Sequence, residues 1–129
     1  MIDDNPLEHL IMKKIFARYK MFSGAVHSLD SEVIIEFLKE NGNNDALVPD
    51  IIFLDLDMPG FSGWDFLEHF DKLSTHLKRL VSIYILSSSI DERDRLRSTN
   101  FPFVKDFISK PIKIEKLAVI HDLHKRACA

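Results

Sequence analysis

The stretches "IIFLD" at 51–55 and "LVSIYIL" at 80–86 constrain this chain more than any others. Each is apolar on successive residues, the pattern of a strand covered on both faces. A strand with one wet face would instead alternate apolar and polar side chains. Segments of helical period surround both. "PLEHLIMKKIFARY" sets Leu7, Leu10, Ile11 and Ile15 on one predicted face, with Asp4 or Asn5 as cap and Pro6 in the first turn. "DSEVIIEFLKENGNN" predicts a helix capped by Asp30 or Ser31, lined by Val33, Ile34, Phe37 and Leu38, and stopped by Gly42. "SGWDFLEHFDKL" spaces Phe66, Leu67, Phe70 and Leu73 as a helix does. "DERDRLRST" predicts a short polar helix with Leu96 as its main apolar residue, and "KIEKLAVIHDLHKR" a closing helix on Ile114, Leu117 and Ala118. "MFSGAVHSL" and "FVKDFIS" read as strands. Strands alternating with helices predict an α/β chain, a doubly wound parallel sheet with helices on both faces.

Composition narrows the function more than the fold. The 129 residues suit one domain over 1–129, and 46% hydrophobic residues suffice for a core. With 17 basic and 20 acidic residues the net charge is −3, which gives no footprint for nucleic acid or a membrane surface. Cys128 is the one cysteine, so no intrachain disulfide or cysteine-rich metal site is expected. No apolar run approaches ~18 residues and no signal-peptide pattern opens the chain, so the expected location is cytoplasmic. The six histidines are scattered without metal spacing and are expected on the surface.

In a sheet of this kind the ligand site lies beyond the carboxyl ends of the strands. The residues to read are therefore those at which each strand stops. Asp3 and Asp4 follow Met1-Ile2, Asp55 ends "IIFLD", Ser87 follows "IYIL", and Lys110 follows "DFIS". Three carboxylates, a hydroxyl and an ammonium converge on one edge. Like charges raise the cost of ionising each carboxylate, and a hard cation such as Mg²⁺ relieves it. An aspartate can attack a phosphoryl group to form an aspartyl phosphate, while Mg²⁺ and a lysine neutralise the phosphoryl oxygens.

These residues resemble a known family. "IDDN", "DLDMPGFSG", "ILSSS" and "ISKPI" are similar to the acidic pair, phosphoacceptor loop, switch hydroxyl and Lys-Pro of response-regulator receiver domains. The strongest piece is Asp55-x-x-Met58-Pro59-x-x-x-Gly63, with Ser87 lying 32 and Lys110 lying 55 residues beyond Asp55. The resemblance runs from residue 1 to about residue 125. It implies a flavodoxin-like fold, a five-stranded parallel sheet in the order 2-1-3-4-5. It also implies Asp55 as phosphoacceptor, Asp4 as a Mg²⁺ carboxylate with Asp3 behind it, and the Asp57 carbonyl as a further metal ligand. Ser87 matches the switch hydroxyl, with Ser88 the alternative. Lys110 matches the lysine that pairs with the phosphoryl group, and Pro111 the proline after a cis peptide bond. Phe107 stands where the family has an aromatic that swings inward on activation. Asp57 and Ser89 flank the phosphoacceptor and switch positions and are expected to influence the lifetime of the phosphorylated state.

The implied function is that of a signalling domain rather than an enzyme. It takes a phosphoryl group from a histidine kinase or phosphotransfer protein and changes its binding surface for a downstream protein. The expected surface is the "DERDRLRST" helix, the "FVKDF" strand and the last helix, the fourth helix, fifth strand and fifth helix of the implied fold. A homodimer is a further possible partner. No output domain is expected. Two alternatives stand beside this reading. Haloacid-dehalogenase phosphatases also end a buried strand on Asp-x-Asp, as Asp55 and Asp57 do here, but the Pro59-Gly60 break does not resemble their continuation. A pseudo-receiver would keep the fold without accepting phosphate. One departure concerns the first strand, where only Met1-Ile2 precede Asp3. The resemblance implies several apolar residues there, so the strand is completed by residues ahead of Met1, the favoured expectation, or is a stub, or is filled by a segment of another chain.

Overall fold

A computed structural model describes residues 1–88 and 91–128, with the side chains of 126–128 left aside. Ser89 and the Cys128 side chain, both weighed above, lie outside the described residues. The elements are α1 (Pro6–Tyr19), α2 (Ser31–Asn41), β1 (Ile51–Asp55), α3 (Gly63–Leu73), β2 (Ser82–Ser87), α4 (Glu92–Ser98), β3 (Val104–Ser109) and α5 (Ile114–Cys128). A single 3₁₀ turn at Ser74–His76 follows α3.

The helix starts obey local chemistry. Asn5 accepts a hydrogen bond from the Leu7 amide ahead of Pro6, and Asp30 accepts from the Glu32 and Val33 amides. At α3, Ser62 and Asp65 form a reciprocal capping box, which satisfies two otherwise orphaned amides.

The strands β1, β2 and β3 are parallel and adjacent in that order. Two further lanes are each reduced to one bridge, because Ile2 pairs in parallel with both Ser28 and Leu54. Reading across from Ser28 through Ile2 to β1, β2 and β3 recovers the 2-1-3-4-5 order of a flavodoxin-like fold. The five-stranded expectation is thus corrected to three strands and two single-bridge lanes among the described residues. In "MFSGAVHSL" only Ser28 pairs, and in the first lane only Ile2.

Alternate residues of the strands face two cores. Ile52 and Leu54, Ile83 and Ile85, and Phe107 pack with α2 and α3 residues such as Ile35, Leu38, Phe66 and Phe70. Phe53, Tyr84, Leu86 and Ile108 pack on the other side with Met12 and Phe16 of α1 and Leu117 and Ile120 of α5. Both faces are covered, as the continuous apolar strands require.

Two helices are rotated from their expected phase. The buried line of α1 is His9, Met12 and Phe16, while Leu7, Leu10 and Ile11 are exposed. In α2, Ile35 and Leu38 are buried, and Val33 and Phe37 face outward. The α3 face is the expected one, with Phe66, Leu67, Phe70 and Leu73 buried. Among the described residues no helix is long and apolar enough to cross a membrane.

Candidate functional site

Register decides which side chains meet. Leu54 pairs with Ile2, Asp55 with Leu86, and Ser87 with Ser109. The residues one step beyond these pairs, Asp3 and Lys110, therefore join Asp55 and Ser87 at the carboxyl edge of the sheet. The Lys110 amide donates to the Ser87 carbonyl at 2.8 Å, which carries the β2–β3 ladder up to the lysine itself.

Asp3 is 1% exposed, Asp55 4% and Ser87 1%, so two carboxylates are held where water cannot solvate them freely. The Lys110 ammonium answers both, lying 2.9 Å from Asp3 Oδ2 and 3.4 Å from Asp55 Oδ1. Asp4, which is exposed, adds a third carboxylate at the mouth. One oxygen from each of Asp3, Asp4 and Asp55 lies within 4.8 Å of the others.

The electrostatics follow from this crowding. Burial pushes the Asp55 carboxyl up to about 6 and the Asp3 charge pushes the same way, with Lys110 and the Asp57 amide pulling partly back. That amide donates to Asp55 Oδ1 at 3.3 Å. For Lys110, burial disfavours the ammonium. The Asp3 hydrogen bond and the Asp55 charge outweigh it, and the net shift is upward. Three acids cluster here, and Lys110 pairs with two of them. The residues present thus suit a hard divalent cation, having charged oxygens in excess and an exposed member that leaves room for water.

The loop after β1 is shaped for close approach. Gly60 has a left-handed φ of 77°, and the Gly63 amide donates to the Leu56 carbonyl at 3.1 Å. A Cβ on Gly63 would sit 2.5 Å from the Asp55 carbonyl oxygen and 2.6 Å from Leu56 Cα. Only glycine lets α3 start this near the acid.

The family model described as the response regulator receiver domain matches residues 1–121. This chain belongs to that family. Among solved structures, it is similar to a two-component response regulator from Cytophaga hutchinsonii, with 26% identity and a TM-score of 0.76 over 95% of this chain and 91% of that one. A response regulator receiver protein from Dyadobacter fermentans follows at 22% identity and a TM-score of 0.73, over 97% and 92% of the two chains. The chemotaxis protein CheY4 of Vibrio cholerae shares the fold at 14% identity and a TM-score of 0.71, over 96% and 92%. No curated protein matches the chain in sequence. The family match sets Asp55-x-Asp57 in a receiver domain rather than in a haloacid-dehalogenase-like phosphatase.

In this receiver domain Asp3, Asp4, Asp55 and Lys110 come together directly, and Ser87 stands buried at the next strand end. The Asp57 side chain is exposed. The Lys110–Pro111 peptide is cis. Phe107 is buried in the α2–α3 core, and the Arg95 guanidinium lies 5.3 Å over its ring.

Sequence reasoning missed His9. It is buried at 5% exposure rather than on the surface, its Nε2 lies 2.7 Å from the Asp3 carbonyl oxygen, and its Nδ1 lies 2.9 Å from Nδ1 of His27. The signal available was its place at i, i+3 and i+7 with Met12 and Phe16. His27 is pushed down to about 4, by burial first and then by the charges of the Met1 ammonium, His9 and Lys13.

Proposed function

We propose that this receiver domain, acting in the cytoplasm over residues 1–129 as one unit, accepts a phosphoryl group on Asp55 from a histidine kinase or phosphotransfer protein. The domain responds by changing the surface it offers a downstream protein. The observation that supports this reading is the Lys110 ammonium 3.4 Å from Asp55, in a cluster where Asp3, Asp4 and Asp55 bring their oxygens within 4.8 Å.

The ionised Asp55 carboxylate is the nucleophile. One of its oxygens forms the new bond to phosphorus, and the bond from phosphorus to the donor's imidazole nitrogen breaks. The electron pair of that bond returns to the imidazole nitrogen, which takes up a proton from solvent, and an aspartyl phosphate is left on this chain. Lys110 balances the negative oxygens of the moving group, as phosphoryl transfer requires. Asp4 and Asp55, supported by Asp3 and the Asp57 carbonyl, would hold Mg²⁺, which supplies further neutralisation of those oxygens when bound. The Ser87 hydroxyl then donates to a phosphoryl oxygen and draws the end of β2 toward it.

The response surface is α4, β3 and α5. Helix α4 has seven residues, with Arg95 over the Phe107 ring and Arg97 4.2 Å from the Trp64 ring and 3.5 Å from the Glu68 carboxylate. A short helix tied down through half-exposed arginine side chains shifts at low cost, so a pull at Ser87 with a rotation of Phe107 biases its position.

Site mapping tests the reading. The protein is incubated with a small-molecule phosphodonor and Mg²⁺, reduced with borohydride, and its peptides are sequenced by mass spectrometry. Homoserine at position 55 is expected. Homoserine elsewhere, or none, contradicts the assignment.

A further inference from the structure

Asp3 has little of the support that a strand end usually enjoys. Only Ile2 pairs in its lane, donating to the Phe53 carbonyl at 2.8 Å and accepting from the Asp55 amide at 2.9 Å. Beyond it the Asp3 amide donates to the Ser28 carbonyl at 3.1 Å, and the chain then leaves the sheet for the α1 cap. Among the described residues no strand amide donates to the Asp3 carbonyl. His9 takes the place of one. Its ring reaches back from the first turns of α1 and sets Nε2 2.7 Å from that oxygen.

The tautomer follows from the partners. A carbonyl oxygen only accepts, so His9 Nε2 carries the proton and donates it. Its other ring nitrogen, Nδ1, lies 2.9 Å from Nδ1 of His27, so a hydrogen bond joins the two rings. A chain of hydrogen bonds thus links His27 through His9 to the main chain of Asp3. The side chain of Asp3 is held separately, with the Asn5 amide donating to Oδ1 at 3.0 Å and Lys110 donating to Oδ2 at 2.9 Å. Main chain and carboxylate are thus fixed by different groups. Without His9 the main chain could turn and carry both Asp3 and Asp4 with it.

We propose that His9, oriented by His27, is a positioning residue that fixes the Asp3-Asp4 carboxylates for cation binding. This rests on the reading of Asp3, Asp4 and Asp55 as the Mg²⁺ set. Groups that orient metal ligands from behind commonly govern affinity by about 10- to 100-fold.

Mg²⁺ titration by calorimetry tests it on the full chain in wild type, His9→Asn and His9→Gln. The glutamine amide can reach the position of Nε2 and donate, whereas the shorter asparagine cannot. His9→Asn is expected to weaken Mg²⁺ binding about tenfold or more, and His9→Gln to restore most of it. Denaturation in chelator confirms that each protein is folded. A folded His9→Asn protein that binds Mg²⁺ as wild type does would overturn the proposal. So would equal losses in both variants, because a merely space-filling role makes no distinction between them. ¹⁵N spectra of the wild-type imidazoles supply a test that needs no variant. A single Nε2–H tautomer at His9 is expected, and an Nδ1–H tautomer overturns the assignment. Wild-type protein that takes up no Mg²⁺ is a separate failure, since it removes the metal reading itself and this role with it.

Discussion

The Lys110 ammonium hydrogen-bonds Asp3 at 2.9 Å, a contact between residues 107 positions apart that joins the end of β3 to the first residues of the chain. With Asp3 at 1% and the lysine side chain at 17% exposure, this is a largely buried pair. Removing one member of such a pair leaves the other uncompensated. In metal-free protein Lys110→Ala should lower stability by about 3 kcal/mol, the lower end of losses on breaking buried ion pairs. Saturating Mg²⁺ should recover part of that loss, because a cation can take over the neutralisation. Urea denaturation in chelator and in Mg²⁺ measures both, and equal stability of variant and wild type in chelator would contradict the pairing.

The raised Asp55 carboxyl gives a pH dependence of definite sign. Its folded value is about 6 against an ordinary 3.8, so the folded state binds the proton more tightly than the unfolded chain does. This group therefore costs nothing below the unfolded value. Its cost grows as pH rises from about 4 to about 6 and is constant above that. At 1.36 kcal/mol per unit the full cost is on the order of 3 kcal/mol. Asp55→Asn removes it. In chelator, Asp55→Asn should match wild type near pH 4 and exceed its melting temperature above pH 6, with the gap opening between. A gap independent of pH would rule out this origin.

Gly63→Ala should damage the site through the backbone. The added methyl meets the Asp55 carbonyl and Leu56 Cα at 2.5 and 2.6 Å, neither of which can swing aside as a side-chain tip does. Overpacking of this kind costs about 1–3 kcal/mol, and here it displaces the strand end that carries Asp55. Gly24→Ala is the control, since nothing lies within 4 Å of its Cβ position. Circular-dichroism melts and phosphoryl uptake should both fall for Gly63→Ala and stay near wild type for Gly24→Ala.

Trp64 is the one tryptophan of the chain, and the Arg97 guanidinium of α4 lies 4.2 Å from its ring. Its emission therefore reports where α4 sits. Phosphorylation should change Trp64 fluorescence, and Arg97→Ala should shift the resting spectrum while muting that change. An identical response in both proteins would mean that α4 stays in place.

The sheet and most of its site were legible because parallel strands place their ends together whatever fills the space between. Asp55, Ser87 and Lys110 each follow an apolar run, and the register then forces them onto one edge. The caps at Asn5 and Asp30 were equally local, needing only a side-chain oxygen within three residues of the helix start. Helix phase was less legible. In α1 apolar residues occupy more than one side, and the line that the sheet selects runs through His9, which a hydropathy reading assigns to water. Spacing with Met12 and Phe16 marks the side of His9, whereas its bond to the Asp3 carbonyl is a tertiary contact that the sequence alone does not reveal. The outer lanes were overcounted for a related reason. "MFSGAVHSL" has strand composition, yet pairing needs a neighbour, and Ile2 is the one residue on which Ser28 can pair.

The experiment to perform first is the intact mass of the protein after treatment with acetyl phosphate, with and without Mg²⁺, beside Asp55→Asn under the same conditions. A single phosphoryl adduct that requires Mg²⁺ and is absent from Asp55→Asn is expected, with released phosphate lagging well behind its formation. Rapid phosphate release without an adduct would make the site hydrolytic, and neither adduct nor release would leave a receiver fold that does not accept phosphate. Either outcome would contradict Asp55 as the phosphoacceptor of this chain.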